Sequence, residues 1–458
     1  MKKNQMLFKV LSILCLLSLL AACAPAATPA PATQAPATQA PAATQAPAAT
    51  EAPTAAPEPV TLTFLHWDDQ TTRDQIKAVT DKYVALHPNV TFNFETMPGG
   101  ADGDNIVKTR LATSEMTDIF FYNSGALLQA LHPADTLVDI SKEPFMTNVV
   151  ESFIPTVTQE GKSFGVPFGP AMGGGILYNK KVYAKLGLSV PTTWAEFEAN
   201  NEKIKAAGIA PVISTFGDTW TSQLFVLADY YNVEQSNSNF AADYTANKAK
   251  YATAPGAMNG FAYLDESFKK GWYQKDFATD KLDQGLKMLA EGTGAQYPML
   301  TFALGNIATN YPKAANDIGF FGIPGTDASK AGATIWMPNA IYISKTSKNI
   351  DAAKEFLAFL TTNDAINAVM AAVPPTGPYL IKGIKLPDNV LAGVKDIAGY
   401  IDSGKTAPAL EYLSPIKGPS LEQFCVSVGT GQMTPADAAA AYDKDVEKQA
   451  QQLGIPGW

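Results

Sequence analysis

Val60-Thr-Leu-Thr-Phe64 alternates apolar and polar side chains as a half-buried strand does, and His66-Trp67-Asp68-Asp69 follow it. Downstream, Ile76, Val79, Tyr83 and Leu86 recur at helical spacing until Pro88 stops them. Val90-Thr-Phe-Asn-Phe94 alternates again. A second helical stretch runs from Gly99-Gly100 to about Ala112, and Asp118-Ile-Phe-Phe-Tyr122 reads as a buried strand. Strand, helix, strand, helix, strand at this spacing predicts a parallel sheet with crossover helices.

The same alternation continues. Ile176–Tyr178, Pro211–Ser214, Ile318–Ile323 and Ala340–Ser344 are strand-like, while Trp194–Ala207, Ile350–Leu360 and Thr434–Leu453 carry helical signals. The last opens on Thr434-Pro435, an N-cap with proline at the first helical position. A chain of 458 residues, 46% hydrophobic, is long enough for two globular domains of α/β type. Open α/β sheets take ligands at the carboxyl ends of their strands. His66–Asp69 and Asn123–Gly125 are therefore candidate ligand loops, together with the loops after the later strands.

Ahead of this folded part the chain reads differently. Lys2-Lys3, an apolar run from Met6 to Leu20, and Ala21-Ala22 before Cys23 make a secretory signal peptide over 1–22. Its most apolar part, Val10–Ala22, is too short to cross a hydrocarbon core of about 30 Å. Leu20-Ala21-Ala22-Cys23 resembles the lipobox of bacterial lipoproteins, which implies cleavage before Cys23 and lipid on its sulfur. Residues 24–59 contain only Ala, Pro, Thr, Gln and Glu. With no large apolar side chain to offset ordering entropy, 23–59 is expected to be a disordered, semi-stiff tether.

Charge and cysteine content exclude several functions. Losing Lys2, Lys3 and Lys9 with the leader leaves 31 basic against 43 acidic residues, a net charge of −12. With no long basic block, such a chain is a poor partner for nucleic acid. Once Cys15 is removed and Cys23 lipidated, Cys425 is the only thiol, which excludes an internal disulfide and predicts a buried, inert cysteine.

Catalytic motifs are sparse. His66, His87 and His132 have no zinc-ligand spacing, and no G-x-S-x-G elbow occurs. Gly399-Tyr-Ile-Asp-Ser-Gly404-Lys405-Thr406 matches a phosphate-loop pattern, yet a helical stripe from Val390 to Ile401 runs into it. Gly404-Lys405 reads instead as a helix end with a left-handed glycine. Asp68-Asp69 precedes Thr71-x-x-Asp74, so helix capping and ligand contact are both open there. Asp102-Gly-Asp104-Asn105 reads as a solvated turn, with a calcium loop as its weaker alternative. Trp67, Trp220 and Trp336 each sit beside polar, loop-forming residues, a combination that suits a pyranose with one apolar face and a polar rim, although core packing accounts for a tryptophan too. Trp194 and Trp272 lie on helical stretches, where packing explains them.

In order along the chain, Thr117-Asp-Ile-Phe-Phe-Tyr122, Gly165-Val-Pro-Phe168, Leu177-Tyr-Asn-Lys180, Pro191-Thr-Thr-Trp194-Ala-Glu-Phe197 and Ser344–Asn349 before Ala353–Leu360 resemble family-1 extracytoplasmic solute-binding proteins of ABC importers, the group that includes maltose-binding protein. The closing Thr434-Pro-Ala-Asp-Ala438 helix fits the same pattern, and the resemblance covers nearly all of 60–458. It implies an α/β, two-lobe periplasmic-binding-protein-like fold with mixed or parallel sheets flanked by helices and a ligand cleft at the hinge. The lobes implied are 60–172 with 324–375, and 173–323 with 376–458. Crossings would fall near Ala171–Gly175, Ile323–Pro324 and Val373–Gly377, the glycine run being suited to bending.

By the same resemblance the ligand-facing residues are Trp67, Asp68 and Asp69, then Tyr122, Asn123 and Ser124, with Phe168, Trp220, Phe302, Trp336 and Asn339. Phe302 stands where relatives often carry Gly-x-Trp, and Met172 where maltose-binding protein has an acid. The implied protein is a monomer without catalytic residues, cofactor or metal, lipid-anchored outside the cytoplasmic membrane. It captures a mono- or oligosaccharide and passes it to ABC permease subunits. Two other classes stay open: binding of a polyamine, or of a metal through Tyr122 and Tyr230-Tyr231, and a surface glycan-active enzyme using Asp68 or Asp69.

Overall fold

The computed structural model describes residues 58–458, so the leader, Cys23 and almost all of the tether lie outside the described residues. Leu62, Phe64 and Leu65 are fully buried in strand β1 (Val60–Trp67). β1 pairs in parallel with β2 (Val90–Met97) on one side and β3 (Ile119–Tyr122) on the other. The helix Gln70–Leu86 makes the first crossover and buries Ile76, Val79, Thr80 and Tyr83, one stripe at helical spacing. Its N-cap is Asp69, which accepts from the Thr72 N–H at 2.9 Å, not the expected Thr71. Thr71 is instead buried within the first turn, with its hydroxyl donating to Asn306.

The helix Gly100–Thr113 makes the second crossover and absorbs Asp102–Asn105, which corrects the expected turn. Gly103 permits this, since a Cβ there would lie 2.1 Å from the Pro98 carbonyl oxygen. After a small hairpin of β4 (Thr158–Gln159) and β5 (Lys162–Ser163) come β6 (Gly165–Phe168) and, much later, β12 (Asn339–Ile343). The sheet order is β2-β1-β3-β12-β6, with β12 antiparallel to both neighbours, so the sheet is mixed. Asp118 ties it together, accepting from the Thr63 N–H and hydroxyl at 2.9 and 2.8 Å and from the Ser347 hydroxyl at 2.6 Å.

A second sheet is built around β7 (Met172–Asn179), which pairs antiparallel with β9 (Gly294–Leu300), β10 (Ile318–Phe321) and β11 (Ala333–Trp336). β8 (Ala210–Val212) and β13 (Thr406–Pro408) complete it in parallel with β9 and β11. Both faces are buried. Ile176 and Tyr178 join one apolar cluster with Trp194, Phe197 and Trp272, while Leu177 points into another with Leu286, Tyr297 and Leu304. That two-residue period is the pleat of a strand covered on each side.

Both sheets lie in one compact unit. The chain leaves the first at Gly169–Ala171 and returns at Met337-Pro338. Residues 324–336 thus stay with the second sheet, although the expected boundary placed them with the first lobe. Gly325 bonds to the Trp194 N–H at 2.7 Å, and β11 pairs with β7. Conversely Tyr379 and Ile381, expected with the second lobe, pack into the core of the first sheet. No helix among the described residues is long and apolar enough to cross a membrane.

Candidate functional site

A cavity of about 1280 Å³ opens between the two sheets. On one side it meets the ends of β1, β3 and β6, where strand alternation decides which side chains enter. Trp67 and Phe121 pack edge to face with ring centres 4.9 Å apart, and Phe121 meets Phe168 the same way at 5.6 Å. These three rings form a continuous aromatic wall that lines the cavity.

The opposite wall comes from the second sheet. Trp220, on the short 3-10 turn Thr219–Gln223, sits 6.0 Å from Phe302, the residue before the helix Ala303–Asn310. Trp336 ends β11 and owes its position to Gly174, because a Cβ there would lie 2.0 Å from its Cζ3 atom. The Gly173–Gly175 run is thus a flat bed inside β7, with the Cβ positions of its neighbours taken by Ile397 and by the Phe321 carbonyl, and it is not a bend. The left-handed residue at the crossing is Gly169, with φ of +90°.

Polar groups fill the gaps between the rings. Asp68 is ion-paired with Arg73 and Asp69 caps its helix, so each has a partner within its own segment. Burial pushes the Asp69 carboxyl above its ordinary range, against the Thr72 hydrogen bonds. Asn123 and Asn339 line the cavity from the first sheet, and Asn306 reaches it from the second. The Thr71–Asn306 hydrogen bond joins the two sides directly.

Nine of the eleven sequence-expected residues line this cavity: Trp67, Asp68, Asp69, Asn123, Phe168, Trp220, Phe302, Trp336 and Asn339. Tyr122 and Ser124 do not. Side chains two apart share a face of an extended chain, so Phe121 and Asn123 face the cavity and Tyr122 and Ser124 turn away. Tyr122 is fully buried and donates to Asp104 at 2.7 Å, and the Ser124 hydroxyl donates to the Pro338 carbonyl at 2.8 Å. Both support the site from behind.

One group has no forerunner in the sequence. Asp104, Glu411, Lys417 and Glu422 meet at one part of the lining, although about 300 residues separate the first from the rest. Lys417 donates to Glu411 at 3.0 Å, the two side chains being 13% and 9% exposed, and the Thr219 hydroxyl donates to Glu422 at 2.6 Å. Burial alone would lower the Lys417 ammonium, but Glu411, with Asp104 and Glu422 behind it, holds it above its ordinary range. Burial raises the Asp104 and Glu422 carboxyls. Only the separate hints at Tyr122 and at Asp102–Asn105 pointed to this region.

The remaining motifs take structural roles. The helix Ala392–Asp402 runs into the phosphate-loop pattern, and Gly404 follows it with φ of +68°. Trp194 stacks 3.6 Å from Tyr263, Tyr230 and Tyr231 pack in the same core, and Cys425 is buried there. Among the described residues no three His, Cys, Asp or Glu side chains are grouped to hold a metal.

The family model of the bacterial extracellular solute-binding proteins matches residues 69–366. The multiple sugar-binding protein of Streptococcus mutans is 24% identical over 327 residues, covering 69% of this chain and 74% of that protein. The diacetylchitobiose binding protein DasA of Streptomyces coelicolor is 28% identical over 328 residues, covering 69% and 73%. Among solved structures, a chitin oligosaccharide binding protein superposes with a TM-score of 0.75 at 22% identity, over 86% of this chain and 99% of that one. RafE in complex with raffinose gives 0.70 at 22%, over 86% and 99%.

Proposed function

This chain belongs to the bacterial extracellular solute-binding proteins, and from that membership we propose that it captures a mono- or oligosaccharide for an ABC importer, in the cavity between its two sheets. The observation that carries the reading is the pair of facing aromatic walls, Trp67–Phe121–Phe168 and Trp220–Phe302–Trp336, with hydrogen-bonding side chains between them. A pyranose offers apolar C–H faces to such rings and hydroxyls to the groups at their edges. The relatives named for sugar binding support the ligand class, and they are binding proteins rather than enzymes. The ligand leaves unaltered and passes to permease subunits.

Binding draws the two walls together, so ligand shifts an open–closed population toward the closed form. Titrating the purified protein with a panel of mono- and oligosaccharides, while following tryptophan fluorescence, is expected to show saturable change with at least one sugar. Small-angle scattering is expected to show compaction with that sugar. A response confined to polyamines or metals would sink the saccharide assignment and leave the binding role standing. Residues 1–22 as a leader, lipid on Cys23 and 24–59 as a tether would hold the monomer at the outer face of the membrane. A Cys23→Ser chain is expected to shed its radiolabelled-palmitate incorporation and appear in the culture medium. Label retained by that variant would refute the anchor.

A further inference from the structure

Eight acidic and four basic side chains line the cavity, a net charge of −4. The imbalance is concentrated where Asp104, Glu411 and Glu422 surround the single ammonium of Lys417. Each carboxylate keeps one oxygen on the protein: Asp104 on the Tyr122 hydroxyl, Glu411 on Lys417, Glu422 on the Thr219 hydroxyl. Lys417 is committed to Glu411. Burial lifts the Asp104 and Glu422 carboxyls, and Lys417, with Lys108 beside Asp104, pulls them back down.

A second observation is independent of charge. Gln223 lines the same cavity, is 7% exposed, and its Oε1 is buried without a hydrogen-bond partner. Its side-chain amide carries an acceptor and two donors, so a ligand hydroxyl or amide, which both gives and takes hydrogen bonds, can satisfy it once it turns toward the cavity. Hydroxyls, amides and ammonium groups bring donors. Carboxylates and sulfates bring only acceptors and more negative charge.

We propose that this cavity selects glycans whose sugars are uncharged or aminated and rejects those bearing carboxylate or sulfate, and that Asp104 and Glu422 around Lys417 set this discrimination. The inference deepens the saccharide reading and rests on it. A negative group placed here meets like charge in a partly water-excluded space, where Coulomb energies exceed those in bulk solvent.

The test is a printed array of neutral, aminated, carboxylated and sulfated glycans probed with the whole mature chain. Solution affinities follow for the best neutral ligand and for its analogue oxidised at C6 to the uronate. Retained glycans are expected to be neutral or aminated, with the uronate analogue about tenfold weaker or worse at low salt. That gap is expected to narrow at high salt and in Glu422→Gln. Asp104→Asn, which still accepts from Tyr122, is the second variant should the first fold poorly. Asp81→Asn, on an outer helix face, leaves the gap unchanged. Retention of a carboxylated or sulfated glycan overturns the inference alone, as does a gap insensitive to both salt and the two cavity variants. Retention of no glycan of any class overturns the saccharide reading itself, and this inference with it.

Discussion

Gly174→Ala isolates the idea that β7 is a bed for a ligand-facing ring. Its new methyl would lie 2.0, 2.7 and 2.9 Å from Cζ3, Cε3 and Cη2 of Trp336. Carbon pairs rest at roughly 3.5–4.0 Å, so the indole must retreat by about 1.5 Å or more. The side chain is 5% exposed, packed in the core on one side and lining the cavity on the other, so the retreat disturbs one or both. Overpacking of this kind costs about 1–3 kcal/mol in stability. The geometry-dependent part of an aromatic contact is about 0.5–1.5 kcal/mol, which converts to roughly two- to tenfold weaker binding. Chemical denaturation and sugar titration are run on Gly174→Ala, Trp336→Ala and the double variant. In the Trp336→Ala background the three atoms nearest the added methyl are gone, so most of its cost should vanish. An equal cost in both backgrounds would show that the methyl acts elsewhere, and the account of Trp336 would fail.

Three other outcomes follow from single contacts. Asp118 is held below the ordinary carboxylate range, because hydrogen bonds from Ser347, Thr63 and Asn349 outweigh the upward push of burial. Its stabilising effect is therefore complete above its unfolded value, near 3.8, and is lost as pH falls through the lower folded one. The stability gap between wild type and Asp118→Asn, from urea melts across pH, should be level from neutrality to mild acid and close below that point. Tyr122→Phe removes the donor to Asp104 and is expected to cost about 1–3 kcal/mol by denaturation, with a larger effect on stability than on the fluorescence of Trp67. Gly399→Ala adds a methyl with nothing within 4 Å inside a helix, and should raise stability by about 0.5–1 kcal/mol without changing sugar affinity.

Local periodicity carried most of the first sheet. Leu62, Phe64 and the Ile76–Val79–Tyr83 stripe are buried where alternation and helical spacing put them, because pleat and helix turn are properties of neighbours in the chain. The cavity lining is legible to the same extent: rings at strand ends reach it, but Phe121 lines it where the resemblance implies Tyr122, because side chains alternate along β3. Asp104, Glu411, Lys417 and Glu422 had no such signal. Their proximity is created by tertiary folding, and an isolated Lys or Glu reads as surface. The glycine run is ambiguous for the opposite reason. Glycine permits both bending and close approach, and only Trp336 lying across Gly174 decides between them.

With Gly173–Gly175 inside β7, the bend is left to other parts of the crossings. The Thr301 hydroxyl accepts from the Gly173 N–H and donates to the Thr376 carbonyl, both at 3.0 Å, while the Ala171 N–H donates to the Pro378 carbonyl at 2.7 Å. Gly377 lies so close that a Cβ would meet the Ala171 oxygen at 1.9 Å. Residues 171–175 are thus clamped between Thr301, after β9 of the second sheet, and residues 376–378, next to Tyr379 of the first core. Gly169, left-handed and with open space at its Cβ position, precedes the clamp, and Met337-Pro338 is the only other direct strand-to-strand link between the sheets. A rotation that brings the aromatic walls together would bend the chain at 169–170, at 337–338 and at the third crossing, between Ile381 and the helix Ala392–Asp402. Trp336 stands next to one of these points and Phe168 next to another, so the rings that would grip the sugar also border the backbone that must turn.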